Sequence, residues 1–380
     1  MNSRLMELAA FGQSVWLDYI DRELLETGGL SRLVDLGVTG VTTNPTIFQQ
    51  AISKGDRYDQ SIRTWLEAHP RPEGDREPWL ERLLEHLMVE DVRAAADVLR
   101  PVHERTGGED GYVSLEVSPL LAYDTEATKR KVQALAGAVG RPNVMIKIPA
   151  TEPGLPAIES MLAAGFNINI TLLFGLERYG QVQDAHQSAL EQRETPGDIA
   201  SVASFFISRI DSKIDPQLEA HGSQEALALR GKIALASARL AHRQLRRHIN
   251  GPAFGEVAVR GGRVQRLLWG STGTKNPDYS DVLYVQNLCG PNTVNTMPPA
   301  TLDAFRDHGV ATDALLHDLE QAEHDLAALE HFGISLEAVT AELESEGVEK
   351  FADSWRAALE ALEAKCAELA PERVEHEPGE

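Results

Sequence analysis

Cysteine and long apolar runs are scarce in this chain of 380 residues. It has two cysteines, Cys289 and Cys366, so a disulfide framework is excluded and a reducing compartment is the default. No uninterrupted apolar stretch approaches the roughly 18 residues that a membrane-spanning helix needs. The N-terminal residues, with Glu7 and Asp18 around a short apolar stretch, lack the basic and then apolar pattern of a signal peptide. We therefore expect a cytoplasmic protein without a membrane partner.

Positive charge is also in short supply. The chain has 36 lysine and arginine residues against 58 aspartate and glutamate residues, which gives a formal net charge of −22. A field of this sign repels nucleic acid and anionic lipid, so we expect neither as a partner. It also repels phosphorylated metabolites at long range. A phosphorylated ligand would therefore need a locally positive pocket, built from isolated lysine and arginine residues within apolar segments.

A third absence concerns dinucleotides, because the chain has no Gly-x-Gly-x-x-Gly turn. Instead, short apolar runs alternate with helical patterns, which indicates βαβ units and a parallel sheet. Eight runs are more typical of a closed (β/α)8 TIM barrel than of an open doubly wound sheet, so the predicted fold class is α/β. The predicted strands are 15–18, 40–44, 112–117, 144–149, 166–173, 201–209, 264–271 and 293–297.

A plain barrel needs about 250 residues, so this chain has residues to spare. We predict a single domain over residues 1–366, made of the barrel and added helices. The additions are a helical insertion over about 47–111, a long helix over 223–248 and a C-terminal helical extension over about 313–364. Residues 367–380 form a polar tail that is predicted to be disordered.

Several apolar runs end on a residue that can do chemistry or bind an anion. An aspartate or asparagine at such a position is often only a helix cap, and a lysine often extends its amine to solvent. Barrel active sites, however, are built at the C-terminal ends of the strands. Six such residues on successive runs favour a shared site over a merely structural polar layer. They are Asp18, Asn44, Glu116, Lys147, Thr171 and Arg209.

Lys147 is the strongest candidate because Ile146 and Ile148 flank it. Only a neutral amine attacks a carbonyl, and burial of a lysine in an apolar strand favours the neutral form. The resulting iminium accepts the electrons that are released when a neighbouring carbon–carbon bond breaks. This chemistry also needs a carboxylate that takes a proton from the cleaving carbinol, and Asp18 and Glu116 are the available ones.

A phosphate group would be bound by Arg209 and by the loop Ser271-Thr-Gly-Thr-Lys275-Asn. The loop offers backbone N–H groups, hydroxyl donors and one positive charge. No metal is expected. Histidines 317, 324 and 331 repeat every seven residues in the predicted C-terminal helix, but seven residues rise about 10.5 Å, too far for them to share one zinc ion.

Three segments resemble the signatures of the transaldolase family: Val41-Thr-Thr-Asn-Pro-Thr-Ile-Phe48, Val144-Met-Ile-Lys-Ile-Pro-Ala-Thr151 and Phe166-Asn-Ile-Asn-Ile-Thr-Leu-Leu-Phe174. A fourth, Ser201-Val-Ala-Ser-Phe-Phe-Ile-Ser-Arg-Ile-Asp211, is similar to the phosphate-binding strand of its longer bacterial subfamily. The resemblance runs from about Val15 to Pro298, and the C-terminal helices also suit the longer form. It implies a class I, Schiff-base enzyme that needs no cofactor.

The resemblance implies transfer of a dihydroxyacetone unit from sedoheptulose 7-phosphate to glyceraldehyde 3-phosphate, which yields erythrose 4-phosphate and fructose 6-phosphate in the non-oxidative pentose phosphate pathway. It implies that Lys147 forms the Schiff base and that Asp18 acts as acid and base on the C4 hydroxyl. Glu116 and Thr171 would hold and activate a water. The implied substrate-binding residues are Asn44 and Asn169 for the dihydroxyacetone portion and Ser204 and Arg209 for phosphate, with Phe206 and Lys275 as further candidates.

Two other interpretations stay open. A fructose-6-phosphate aldolase of the same mechanistic class would release free dihydroxyacetone, but those relatives carry Gln and Tyr where this chain has Glu116 and Phe206. A non-catalytic sugar-phosphate-binding protein would keep the barrel without needing a nucleophilic amine. Shorter transaldolases have Pro at the position of Phe205, and Lys275 is the nearest match to their second phosphate-binding arginine. The sequence does not decide between a monomer and a homodimer.

Overall fold

The computed structural model describes residues 3–369 and contains eight parallel strands that close into a barrel. The strands follow one another around the barrel in chain order, and the last pairs with the first. The predicted α/β class and the (β/α)8 TIM barrel are therefore confirmed. The strands are β1 (Gln13–Leu17), β2 (Val38–Thr42), β3 (Val113–Glu116), β4 (Val144–Pro149), β5 (Ile168–Leu173), β6 (Ser201–Phe206), β7 (Arg266–Gly270) and β8 (Thr293–Met297).

Helices surround this barrel and extend it in two places. Three of them, α4 to α6 below, form the insertion between β2 and β3, and the last two follow the barrel. The helices are α1 (Arg4–Ala10), α2 (Arg22–Glu26), α3 (Gly29–Asp35), α4 (Pro45–Ser53), α5 (Asp59–Ala68), α6 (Glu77–Arg105), α7 (Thr125–Val139), α8 (Gly154–Ala163), α9 (Leu176–Glu191), α10 (Ser208–His221), α11 (Gln224–Leu227), α12 (Ile233–Ile249), α13 (Pro252–Val259), α14 (Leu283–Asn287), α15 (Pro299–His308), α16 (Leu319–His331) and α17 (Leu336–Leu369).

The predicted strands 144–149 and 293–297 coincide with β4 and β8, and the others differ at one or both ends. The largest error concerns the predicted strand 201–209, because β6 ends at Phe206 and Arg209 lies in the first turn of α10. Ile207 and Ile210 are fully buried beyond the strand end. Hydrophobicity therefore continues from strand into helix and does not mark the boundary.

Two predicted helices are also corrected. The predicted helix over 223–248 is broken, because Gly231, at a φ of +69°, lies between α11 and α12. The predicted extension over 313–364 starts too early, since α16 begins at Leu319 and His317 does not share a helix with the other two histidines. α17 continues to Leu369, so residues 367–369 are helical; the rest of the predicted tail lies outside the described residues. The single domain over 1–366 stays a prediction.

A small apolar cluster closes the barrel interior toward the N-terminal ends of the strands. Trp16 is fully buried there, and its indole N–H donates to the Asp110 carboxylate at 2.6 Å. Gly40 makes room for it, because a Cβ at this position would lie 2.5 Å from the Trp16 ring. The cluster forms an apolar floor below the polar side chains that project from the other ends of the strands. Its members are Trp16, Tyr112, Met145, Ala200, Val202, Leu268 and Val294.

The long helix α17 packs on the opposite, C-terminal side of the barrel. It contacts α4, α5, α6, α10 and β5. Gly347 allows a close approach, because a Cβ here would lie 2.9 Å from Leu172 Cδ2 and 3.6 Å from Arg209 Nη1. The C-terminal extension therefore covers part of the barrel mouth. No helix within residues 3–369 combines the length and the apolarity that a membrane crossing requires.

Candidate active site

Side chains from neighbouring strands meet inside the C-terminal half of the barrel. The register of the parallel strands aligns Glu116 on β3 with Lys147 on β4, and Lys147 with Asn169 on β5. Because aligned residues of adjacent strands point to the same face, these side chains share the barrel interior. The exposed fraction is 1% for Glu116, 4% for Lys147 and 0% for Thr171. The buried Lys147 nitrogen and a buried carboxyl group thus lie side by side.

Lys147 is held by two oxygen atoms. Its Nζ donates a hydrogen bond to the Thr43 carbonyl oxygen at 2.9 Å and lies 3.3 Å from Glu116 Oε2. Burial raises the pKa of Glu116 above its ordinary value, and the charge of Lys147 opposes this effect. Neither Glu116 oxygen nor the Thr171 hydroxyl accepts or donates a well-formed hydrogen bond within residues 3–369. Buried polar groups of this kind usually bind water or a ligand.

Asp18 follows β1 and faces the same chamber. Its Oδ1 accepts a hydrogen bond from the Thr42 hydroxyl at 2.7 Å, and Thr42 Oγ1 lies 2.5 Å from Thr296 Oγ1. The Thr42 hydroxyl has one proton and donates it to Asp18, so it must accept a hydrogen bond from the Thr296 hydroxyl. Thr296, Thr42 and Asp18 thus form a chain of hydrogen bonds that all point toward the carboxylate. Burial raises the pKa of Asp18, while the charge of Lys147 and the Thr42 hydrogen bond lower it.

The two asparagines have different surroundings. Asn44 caps α4, because its Oδ1 accepts a hydrogen bond from the Ile47 N–H at 3.0 Å, and it also lines the cavity described below. Asn169 is fully buried, donates to Ser114 Oγ at 2.9 Å and accepts from Ser204 Oγ at 2.6 Å. It does not line the cavity. Its observed contacts position Ser204, and substrate binding by Asn169 stays a prediction.

A cavity of about 220 Å³ opens above these residues. Most of the sequence candidates line it, including Lys147, Asp18 and Arg209. A larger cavity of about 370 Å³, between α9 and α17, contains the Arg178–Glu344 ion pair and none of the sequence candidates. The candidates that line the smaller cavity are Asp18, Asn44, Lys147, Ser204, Phe206, Arg209 and Lys275.

The outer part of the smaller cavity is positively charged. The Arg209 guanidinium lies 5.2 Å from the Phe206 ring centre and 5.8 Å from that of Phe351. Burial lowers the pKa of Arg209, and Asp18 and Glu116 oppose this effect. Partial burial and the charges of Arg209 and Lys350 lower the pKa of Lys275. Cations that repel one another in this way favour an anionic ligand.

The backbone beside these cations is strained. Ser271 directly follows β7, has a φ of +55° and lines the cavity. Its hydroxyl lies 2.9 Å from the Ser208 hydroxyl. A non-glycine residue in the left-handed region costs about 1–3 kcal/mol and is found most often at functional sites. The predicted phosphate loop therefore starts with a backbone conformation that the surrounding fold must stabilise.

Several residues that line the cavity are not predicted by the sequence pattern. Thr42 was visible in principle, because it lies two residues before Asn44 and so shares the inward face of β2. Thr296 and Gln50 carried no comparable signal. Lys350 lies in a charged helix whose periodicity does not tell which residue meets the barrel mouth. Its position depends on how α17 docks.

The chain matches a family profile described as "Transaldolase/Fructose-6-phosphate aldolase" over residues 15–362. It is 46% identical over 379 residues to "Transaldolase 2" of Streptomyces coelicolor, an alignment that covers 98% of this chain and 100% of the relative. It is also 46% identical to "Transaldolase" of Thermobifida fusca over 373 residues, 97% of this chain and 99% of the relative. "Transaldolase" of Mycobacterium marinum is 46% identical over 376 residues, with 97% and 99% covered. These matches span the barrel and both helical additions, and the chain is therefore an enzyme of the transaldolase/fructose-6-phosphate aldolase family.

Proposed function

We propose that this enzyme is a transaldolase that moves a dihydroxyacetone unit from sedoheptulose 7-phosphate to glyceraldehyde 3-phosphate, in the non-oxidative pentose phosphate pathway. The observation that carries the proposal is the placement of a buried amine, Lys147, in a cavity that also holds Asp18 and the cations Arg209 and Lys275. The relatives named transaldolase support the same activity.

The proposed reaction starts at the Lys147 amine. Its nitrogen attacks the C2 carbonyl of the ketose, and loss of water from the resulting carbinolamine leaves an iminium. Asp18 takes the proton of the C4 hydroxyl, the C3–C4 bond breaks and its electron pair moves toward the iminium nitrogen, which leaves an enamine and releases the aldose. In the reverse sense, the enamine carbon attacks the acceptor aldehyde and Asp18 returns the proton. Hydrolysis then frees Lys147.

Glu116 and Thr171 are proposed to serve the formation and hydrolysis of the iminium. Glu116 contacts the Lys147 nitrogen, and its raised pKa suits a group that both takes and gives protons. The Thr171 hydroxyl, which has no hydrogen-bond partner in the described part of the chain, is on β5, next to β4. A water between them would receive a proton at one step and attack C2 at another. This division leaves Asp18 free for the carbon–carbon step.

Sugar phosphates are the proposed partners and the cytoplasm is the proposed location. The net charge of −22 argues against nucleic acid and anionic lipid as partners. Both thiols are buried, and burial raises the pKa of Cys289 to about 12 and that of Cys366 to about 11, which suits inert cysteines in a reducing compartment. The choice between monomer and homodimer is decided by sedimentation equilibrium.

Borohydride reduction in the presence of fructose 6-phosphate tests the proposal. A reduced adduct is expected on the peptide that contains Lys147, located by mass mapping. Erythrose 4-phosphate is then added to the unreduced enzyme, and a transaldolase is expected to form sedoheptulose 7-phosphate from it. Release of free dihydroxyacetone as the main product would instead indicate the aldolase activity that the family description also covers. Absence of any reduced adduct would indicate a binding protein.

A further inference from the structure

Three cations converge on the outer part of the active-site cavity. Arg209 comes from α10, Lys275 from the loop after β7, and Lys350 from α17. None of them donates a hydrogen bond or forms an ion pair within residues 3–369, although the protein as a whole carries a net charge of −22. Lysines and arginines elsewhere on α10 and α17 are paired, as Lys213 is with Glu342 and Glu346.

Unpaired like charges at one place are unfavourable without an anion between them. Arg209 alone offers five N–H donors in a fixed fork, and residues 3–369 provide an acceptor for none of them. A phosphate ester carries a charge of about −1.5 to −2 near neutral pH. Two cations therefore roughly balance it, and a third offsets the charge that Asp18, which lines the same cavity, carries when it is ionised.

We propose that Lys350 is a third phosphate-binding residue, which makes the C-terminal helix α17 part of the phosphate site. This inference rests on the proposed sugar-phosphate function. It assigns to the extension a direct part in substrate recognition, in addition to its contacts with the barrel.

The way α17 docks supports this assignment. Gly347 lies one helical turn before Lys350 and Phe351, and a Cβ there would contact Arg209 Nη1 at 3.6 Å. The buried Phe351 ring covers one side of the Arg209 guanidinium. Thr46 Oγ1 on α4 lies 2.7 Å from Ser354 Oγ, which ties the same part of α17 to the other wall of the cavity. The docking of α17 therefore places the exposed Lys350 at the edge of the cavity.

Because phosphate would contact both the barrel and α17, its binding and the docking of the helix must be coupled, and each should strengthen the other. Inorganic phosphate is a suitable probe, since it needs no turnover. It should raise the Tm of the enzyme above the value in chloride at the same ionic strength. The rise should be smaller for Lys350→Met and should return in Lys350→Arg.

Lys365→Met is the matched control. Lys365 lies on the same helix and donates to Asp59 at 2.7 Å and to the Gly55 carbonyl at 2.8 Å, but it does not line the cavity. Its loss removes the same charge from the same helix, and the contacts of α17 with α4, α6 and α10 remain to keep the helix docked. The phosphate-induced rise in Tm should match that of the unchanged enzyme in this variant. Equal rises in the unchanged enzyme and Lys350→Met, or an equal reduction in both variants, would overturn the proposal.

Kinetics give a second measurement. The ratio of kcat/KM for fructose 6-phosphate to that for fructose should fall about 3- to 10-fold in Lys350→Met and should stay unchanged in Lys365→Met. An unchanged ratio in Lys350→Met would contradict the assignment. If the unchanged enzyme turns over neither substrate, the proposed function fails, while the Tm measurement still decides whether Lys350 binds phosphate.

Discussion

Asp18 is half-buried and Glu116 is fully buried, and the two carboxyl groups are placed for different tasks. Asp18 lines the cavity and receives a hydrogen bond from Thr42, so one of its oxygens is fixed while the other stays open to the substrate. Glu116 does not line the cavity and contacts the Lys147 nitrogen. One carboxylate can therefore reach the carbinol of a bound ketose, and the other can reach the nitrogen that carries it.

This difference predicts separable defects. Asp18→Ala should still form the Schiff base with fructose 6-phosphate but should fail to release glyceraldehyde 3-phosphate, because the C4 proton has no acceptor. Glu116→Ala should instead slow both formation and hydrolysis of the adduct. Each loss should be about 10²- to 10⁴-fold, the usual size of general acid–base assistance. Rapid-quench trapping with borohydride measures the adduct, and an enzymatic assay measures the released aldose.

Lys147→Ala is the reference for this experiment, since it should abolish both turnover and trapping while the barrel stays folded. If Asp18→Ala cleaves at the normal rate and Glu116→Ala accumulates an uncleaved ketose adduct, the two roles are reversed. If trapping persists in Lys147→Ala, another lysine carries the intermediate and both assignments are wrong.

Arg209 gives a prediction about phosphate. Its guanidinium has no acceptor within residues 3–369, and it lies in the cavity between two aromatic rings. Arg209→Gln should lower kcat/KM for fructose 6-phosphate by about 10- to 150-fold, which corresponds to roughly 1.5–3 kcal/mol for a charge-assisted hydrogen bond. Most of the loss should disappear with unphosphorylated fructose. Arg178→Gln, in the neighbouring larger cavity, is the control and should preserve the ratio between the two substrates. Equal losses on both substrates in Arg209→Gln would indicate a structural role.

At the level of the elements, the ends of a strand could be predicted where turn-forming residues flank the apolar run. β4 is bounded by Pro142 and Asn143 on one side and by the Thr-Glu-Pro-Gly turn on the other, and its bounds were right. β6 has no such boundary, because apolar residues continue into α10. The pattern therefore predicts a strand at Arg209, which in fact lies on α10, although it correctly indicates a place at the barrel mouth. Because α10 begins two residues after β6 ends, Arg209 still lies close to the C-terminal end of this strand.

The packing of strand β2 against the apolar floor requires a glycine at position 40. A Cβ at Gly40 would come within 2.5 Å of the Trp16 ring, and Trp16 is enclosed by the floor cluster. Gly40→Ala should lower the free energy of unfolding by about 1–3 kcal/mol, because overpacking forces the ring or the strand to shift. Urea unfolding followed by tryptophan fluorescence measures the change. Gly137→Ala, in α7 with open space around it, should raise the same quantity by about 0.5–1 kcal/mol. A stable Gly40→Ala variant would contradict the packing argument.

At the scale of the whole molecule, some of the site could not be inferred because it is assembled from segments far apart in sequence. Lys350 and Asn44 are separated by roughly three hundred residues yet line one cavity. The alternating pattern of a strand shows which side chains face inward. A charged helix such as α17 carries no equivalent signal, because only its docking decides which residues reach the barrel. The same limit applies to the buried acidic residues of α10.

Asp211 is one of these residues. It lies on α10, is 2% exposed, and accepts hydrogen bonds from the Ala234 N–H at 2.8 Å and from the Tyr284 hydroxyl at 2.8 Å. It therefore joins α10, α12 and α14. Burial raises the pKa of Asp211 to about 7, against the opposing effect of those two hydrogen bonds. A carboxyl group of the unfolded chain has a pKa of about 3.9.

The folded protein therefore binds the Asp211 proton more tightly than the unfolded chain does, and stability must fall as pH rises from about 4 to about 7. The free energy of unfolding should decrease from about pH 5 to about pH 8, with about 1–3 kcal/mol of the decrease due to this group. Asp211→Asn cannot ionise, so the difference in stability between this variant and the unchanged enzyme should shift in favour of the variant as pH rises. Urea unfolding at the two pH values measures this difference.

Asp97→Asn is the matched control. The hydrogen bond from Arg141 lowers the pKa of Asp97, so this carboxylate is ionised across the whole range. Its variant should therefore show the same stability difference at both pH values. A pH-independent difference for Asp211→Asn would mean that Asp211 is already ionised at about pH 5 and that the hydrogen bonds outweigh the cost of its burial.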